Sequence, residues 1–256
     1  MHINAMSMST AAITNQPQST ALVQAAVNLV SAHPKMTFVV QLCAQLAPMA
    51  AIAVFMAPLP TILQIRRDRS VGDLPLLPYS SMIASAFVWT AYGILKSESK
   101  IWFPNGVGLV MGVSYFIAFI EYCPPKSSTL PGSVSRHMQA TSALIVLCLL
   151  LATVAGSKPV GVMGIIFCVF LFASPLSALK VVLQTRSAKA IPLPFTLASV
   201  INCFLWSVTG LFDMYDYAIY LPNLLGLSFG LAQVALKLIY RSGKGPPPDG
   251  SLPLMA

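Results

Sequence analysis

The chain has 256 residues, of which 56% are hydrophobic and only 9% charged, with a mean hydropathy of +0.76. A soluble domain carries roughly 25% charged residues, so the composition excludes one. The net charge of +8, from 15 Lys and Arg against 7 Asp and Glu, is spread along the chain rather than gathered into a basic face, which excludes a nucleic-acid binder and leaves a membrane protein.

Taken in order, the chain opens with a polar, Ser/Thr/Gln-rich stretch, residues 1–35, expected to be a flexible tail; it lacks the basic start and compact apolar core of a signal peptide. Seven windows without Asp, Glu, Lys, Arg or His follow: 36–65, 74–95, 101–120, 138–157, 159–179, 190–212 and 217–236. Each has at least 20 residues, and about 20 apolar residues in a helix cross a ~30 Å hydrocarbon core. Lipid offers no partner to backbone N–H and C=O groups, so the windows predict seven transmembrane helices. Barrel strands would be shorter and would alternate in polarity. With the N-terminus outside, the inward pieces hold eleven Lys and Arg, among them Arg66, Arg67, Arg69 and Arg186. The outward pieces hold four, Lys35, Lys96, Lys100 and Lys158. The positive-inside rule therefore predicts an external N-terminus and a cytosolic C-terminus. The last residues, 241–256, read as a disordered cytosolic tail.

An internal repeat organises these spans. A shift of 117 residues sets Pro58-Leu59 on Pro175-Leu176, Arg69-Ser70 on Arg186-Ser187, and Pro75-Leu76 on Pro192-Leu193. It also sets Phe87 on Phe204, Trp89 on Trp206 and Gly93 on Gly210. One inserted residue later, PNGVGLVMG (104–112) lies on PNLLGLSFG (222–230). Two of the three tryptophans in the chain coincide. The expected organisation is a three-helix repeat over 36–120, a cytosolic loop over 121–137, a linker helix over 138–157 and a second three-helix repeat over 159–240. The odd extra crossing makes the two repeats parallel, related by an axis along the membrane normal, with a site between them near the midplane.

On these residues, APLPTILQIRRDRS…LPY…W…YG…PN and ASPLSALKVVLQTRS…IPLPF…W…PN, the chain resembles the SWEET family of sugar transporters over about residues 40–240. The resemblance implies an all-α fold of three, one and three helices, a sugar substrate and no enzymatic activity. It carries the pocket onto Asn105, Asn223, Trp89 and Trp206. The chemistry agrees: an Asn amide both donates and accepts, as sugar hydroxyls do, and an indole offers a flat apolar face with a polar edge. Ser85 and Asn202, one helical turn before each Trp, are expected to face the same cavity. The family's four prolines map onto Pro58, Pro78, Pro175 and Pro192, near the inner ends of four spans, where helix bends would serve as hinges. Pro60, Pro75 and Pro194 lie close by, and Pro192 also fits a plain first-turn proline. By family analogy Val54 and Leu171, one turn before Pro58 and Pro175, narrow the pocket, though ordinary helix packing explains them equally well. Trp102 reads as an interfacial anchor.

No His lies within a window, and Asp213 and Asp216 fall in a loop, where they read as solvating or helix-end charges. With no buried titratable group to carry a coupling charge, facilitated bidirectional uniport of a mono- or disaccharide by alternating access is expected. There is no nucleophile elbow, HExxH or Walker motif, no zinc spacing among the five cysteines, and no cofactor or metal is expected. The rival readings are a carrier of another small neutral solute or an amino acid, and a seven-helix receptor. The expected surroundings are the lipid bilayer, the plasma membrane ahead of an internal one, and the family precedent permits homo-oligomers.

Overall fold

A computed structural model describes residues 24, 25, 28, 34–124, 133–171 and 173–240. The expected tails, apart from those few positions, and much of the 121–137 loop lie outside the described residues. Among the described residues every regular element is helical: α1 (Pro34–Met56), α2 (Leu59–Asp68), α3 (Leu77–Leu95), α4 (Ser99–Glu121), α5 (Val134–Ala155), α6 (Ser157–Leu171), α7 (Ala173–Thr185), α8 (Leu193–Val208) and α9 (Tyr217–Ile239). A 3₁₀ turn at Ala188–Ala190 precedes α8, and a π-helical turn at Thr209–Asp213 follows it. The stretches Met36–Asp68, Ser99–Glu121, Val134–Ala155, Leu193–Asp213 and Tyr217–Ile239 are long and apolar enough to cross a membrane. Ser157–Leu171 is a shorter apolar helix, and α3 has 19 residues, about 28 Å of rise.

Helix limits differ from the uncharged windows because helices run on into polar flanks, where long charged side chains reach water. The linker helix, expected at 138–157, runs from Val134 to Ala155. Its start is set by Ser133, whose Oγ accepts a hydrogen bond from the Arg136 N–H at 3.3 Å. The first span is two helices rather than one. Pro58 has no N–H to continue the ladder; Ala57 N–H turns back to Val54 C=O at 3.1 Å, and Pro58 becomes the N-cap of α2.

Packing follows the repeat. The first helix of each repeat lies on the second helix of the other, α1 on α8 and α6 on α3, and on the third helix of its own, α1 on α4 and α6 on α9. The linker α5 lies outside this bundle against α3 and α6. Only His137 and Cys148 are buried along it, and its apolar outer face is exposed, as suits a surface solvated by lipid tails. Backbone details repeat as well. Arg69 and Arg186 share a left-handed φ of 49° and 51°, and Ser97 and Tyr215 one of 54° and 52°. Gly93 and Gly210 each admit the start of the next helix: a Cβ there would stand 2.5 Å from the Trp102 nitrogen and 2.8 Å from the Tyr220 nitrogen.

The core divides unequally along the bundle. At the end that holds Lys96 and Lys100, one cluster joins both repeats, with Ala47, Val88 and Tyr92 against Val160, Trp206 and Ile219. At the opposite end each repeat keeps its own cluster. Ile62, Leu76, Tyr79 and Phe119 form one, with Val134 of α5 beside it; Val182, Ala188 and Ile191 form the other. In the second repeat, Lys237 Nζ ties that end, donating to the carbonyls of Ala188 and Ile191 at 2.6 and 3.0 Å. The halves are joined at one end and separate at the other.

Candidate functional site

A cavity of about 240 Å³ lies between the repeats. From the first repeat it receives Ala51, Val54 and Phe55 of α1, Ser85 and Trp89 of α3, and Ile101 and Asn105 of α4. From the second it receives Cys168 of α6, Asn202, Cys203 and Trp206 of α8, and Ile219, Pro222 and Asn223 of α9. None of these side chains is charged. Of the eight residues grouped as a pocket from the sequence, Asn105, Asn223, Trp89, Trp206, Ser85, Asn202 and Val54 border this one space. Leu171 ends α6 exposed and is not among its lining residues.

The two asparagines are held alike. Asn105 Nδ2 donates to the Ile101 carbonyl at 2.8 Å, and Asn223 Nδ2 donates to the Ile219 carbonyl at 2.7 Å. Each follows a proline inside its helix, Pro104 and Pro222. With one N–H spent on its own helix, each amide keeps its carbonyl oxygen and a second N–H for a ligand. Asn202 Oδ1 is buried with no partner, an acceptor in the wall of the cavity. A buried acceptor left unpaired costs about 1–3 kcal/mol, which a ligand hydroxyl would recover.

The prolines sit at helix boundaries. Pro58 lies in the break between α1 and α2, Pro78 in the first turn of α3, Pro175 in the first turn of α7, and Pro192 at the N-cap of α8. The prolines inside helices are Pro48, Pro104 and Pro222.

A polar cluster closes the end of the bundle beyond the cavity. Tyr92 Oη lies 2.9 and 2.7 Å from the two carboxylate oxygens of Asp216, and Lys96 Nζ lies 3.3 Å from the same group. Lys100 Nζ meets Asp213 at 2.8 Å. Asp216 is 6% exposed and also caps α9, accepting from the Ala218 N–H at 3.0 Å. In these three contacts the lysines and the hydroxyl come from the first repeat and the aspartates from the second, and Glu98 of the first repeat lines the same recess. The Trp89 and Tyr92 rings meet edge to face at 5.7 Å, so the cavity wall and the cluster touch.

Asp216 keeps the helix-end role expected for it but is also buried in a contact between the repeats, and Asp213 is paired with Lys100 rather than solvating a loop; the burial departs from the expectation of no buried titratable group. His137 is buried too, its Nδ1 2.9 Å from Ser80 Oγ. Asp216 before an apolar run was a legible N-cap; its partner 124 residues away was not.

Two parallel three-helix repeats joined by one helix, enclosing an uncharged central cavity, define an integral membrane protein with an architecture that transporters use. The family description "Sugar efflux transporter for intercellular exchange" fits residues 41–127 and 158–245, and the chain belongs to this family, the SWEET family. It is 30% identical over 204 residues to the bidirectional sugar transporter SWEET15 of Oryza sativa subsp. indica, covering 78% of this chain and 63% of that protein. It is 34% identical over 200 residues to the bidirectional sugar transporter SWEET14 of Arabidopsis thaliana, covering 75% of this chain and 70% of the relative. The chain thus spans a little under two thirds of the rice relative's length. The fold matches a solved eukaryotic SWEET transporter with a TM-score of 0.69 at 24% identity, over 80% of this chain and 97% of that one.

Proposed function

We propose that this protein is a facilitative, bidirectional sugar uniporter that works by alternating access, with its N-terminus outside and its C-terminus in the cytosol. The observation that carries this reading is the central cavity. It brings Asn105 and Trp89 from one repeat together with Asn223 and Trp206 from the other, and includes the unpartnered Asn202 oxygen, with no charged group in the wall. Such a wall suits a neutral polyol with apolar C–H faces rather than an ion. The related proteins named as bidirectional sugar transporters support the same substrate class.

The unequal core supports the mechanism. Closure by Tyr92 and Asp216 at the expected outer end, with separate clusters at the expected inner end, supports the reading of a carrier facing inward. Pro58, Pro78, Pro175 and Pro192 lie at helix boundaries toward that inner end, where a small change of φ and ψ moves a whole rod. Asp216 and His137 are buried, yet neither lines the cavity, which favours uncoupled transport over proton symport.

The test is uptake and efflux of labelled glucose and sucrose in proteoliposomes, with and without a pH gradient, beside Asn105→Ala and Asn223→Ala. Flux of a sugar in both directions, independent of the gradient and lost in either variant, is the expected result. Flux that requires the gradient overturns the uniport mechanism. Folded protein that moves no sugar overturns the substrate class, in favour of another small neutral solute.

A further inference from the structure

Two residues around the central cavity have no part in the recognition of a sugar. Cys168, near the end of α6, and Cys203, in the middle of α8, both border it, and both are half-buried free thiols. Under the 117-residue shift they correspond to Ala51 and Ala86, so the symmetry that pairs the asparagines and tryptophans calls for no thiol at either place. The other cysteines lie elsewhere. Cys43 and Cys148 are sealed in the core that joins the repeats, and Cys123 stands just past the end of α4. The two cavity thiols are close enough to interact electrostatically, and the Trp89 indole N–H donates a hydrogen bond to the Cys168 sulfur.

A thiol outside an electropositive setting is a poor nucleophile, so oxidation and alkylation are not what this pair is suited to. A soft metal ion is different, because it displaces the thiol protons and takes both sulfurs as ligands. The donor set narrows the choice of ion. Among the described residues no three or more His, Cys, Asp or Glu come together as a metal site, so the pair has no third ligand of these kinds. Zinc, which takes four ligands in structural sites, is poorly served. Two thiolates also bring two negative charges to a wall with no charged side chain, and an uncompensated charge there is costly. A dication cancels both charges; a monocation leaves one over. The ion that suits two thiolates and nothing else is a heavy d¹⁰ dication, of which mercury(II) is the type.

We infer that Cys168 and Cys203, facing one cavity from two helices of the second repeat, form a chelating site for a soft, thiophilic dication of the mercury(II) class, and that the bound ion closes the solute path. Two S–H bonds give way to two S–metal bonds, two protons leave to water, and no oxidation state changes. The ion joins α6 to α8 beside Trp89, inside the space that a solute has to cross. The site itself stands apart from the sugar-transport reading; only its effect on flux rests on that reading.

Mercury(II) is titrated into the full chain in detergent, with a small excess of mercaptoethanol, which strips the ion from a single thiol but not from a chelating pair. Cys123→Ser serves as the parent, beside versions that add Cys168→Ala, Cys203→Ala or both. Circular dichroism and gel filtration verify that each is folded. Sulfur-to-mercury ultraviolet absorption counts the ion, and tryptophan fluorescence places it, because a heavy atom beside Trp89 quenches the indole. The parent is expected to bind one ion per chain and to lose fluorescence. Each single alanine should weaken binding by about 100-fold, the scale of a lost second attachment, and the two together should abolish it. A parent that binds no ion overturns the inference. So do single variants that hold the ion as tightly as the parent, or an ion retained by the double variant on Cys43 or Cys148. In proteoliposomes the ion should halt labelled-glucose flux in the parent and a dithiol chelator should restore it, while flux in the double variant should be the same with and without the ion. Full flux in a parent that holds the ion overturns the closing of the path. A folded parent that moves no glucose even without the ion counts against the transport reading instead, and the titration still decides the site.

Discussion

Tyr92 donates its hydroxyl to the carboxylate of Asp216, with oxygen–oxygen distances of 2.9 and 2.7 Å, and so ties the second helix of one repeat to the start of the third helix of the other. The same carboxylate caps α9 and receives Lys96. One buried group thus serves local structure and a contact between repeats.

A hydrogen bond to a charged group contributes about 1.5–3 kcal/mol. Tyr92→Phe removes that bond while keeping the ring against Trp89, and should shift the equilibrium away from the closed arrangement by about 10-fold or more. Spin labels at the exposed positions Ser99 and Tyr217 read the change as a longer distance component between the repeats. Asp216→Asn keeps a good helix cap, so it should open the same end without unfolding α9.

The pair Lys100–Asp213 should matter less. Both side chains are about a third exposed, 32% and 27%, and such pairs are screened by water and salt. A double-mutant cycle with Lys100→Ala and Asp213→Ala, followed by thermal unfolding, is expected to return a coupling of about 0.2–1 kcal/mol that shrinks as salt rises.

Gly93→Ala and Gly210→Ala should be equally damaging despite lying 117 residues apart. In both cases the added methyl meets the backbone nitrogen of the next helix, which cannot rotate away. Overpacking of this kind costs about 1–3 kcal/mol. The measurement is the fall in melting temperature and in monodisperse yield, which should agree between the two variants.

The π turn invites a deletion. Between Gly93 and Pro104 the first repeat has one residue fewer than the second has between Gly210 and Pro222. The second absorbs the excess as a wide turn, with the Met214 N–H bonded to the Thr209 carbonyl at 2.9 Å. Glu98 N–H returns to Gly93, and Asp216 N–H to Gly210, both at 2.8 Å, so the two loops close alike around that difference. Removing Leu211 should convert the π turn to α-helix and leave the bundle folded. It should also rotate Asp213 away from Lys100, seen as loss of the coupling in the cycle above.

How much of this was legible in the sequence depended on distance along the chain. The repeat was readable because Trp, Pro-Asn and Gly recur at a fixed offset, and the change of that offset from 117 to 118 marked the π turn, although nothing in the offset named the structure that would absorb it. Apolar windows located the spans. They missed helix ends such as Val134, where capping rather than hydropathy decides, and the break at Pro58, where a missing N–H does. Asn105, Asn223 and both tryptophans could be grouped because symmetry pairs them. Tyr92 and Asp216 could not: under the repeat Tyr92 corresponds to Thr209, and Asp216 to Glu98, so neither partner predicts the other. The seat of Phe55 on α4 escaped for another reason, since it depends on a side chain that Gly108 lacks.

That mismatch at the closed end has a kinetic consequence. Parallel repeats, related by an axis along the membrane normal, leave the two membrane faces unlike, so the fastenings at each end are independent of each other. Among the described residues, Tyr92, Lys96 and Lys100 of one repeat meet Asp213 and Asp216 of the other at the closed end, while at the opposite end each repeat keeps its own cluster, so a carrier working as proposed would rest unequally between its two orientations when empty. An uncoupled carrier cannot use that bias to accumulate anything, because the products of rate constants around the cycle are equal in both senses. The half-saturating concentrations for entry and for exit would then be expected to differ, each offset by its own maximal rate. Under the proposed mechanism a bilayer holding this protein is level for the solute at equilibrium, and one direction runs faster than the other only when the richer side approaches saturation.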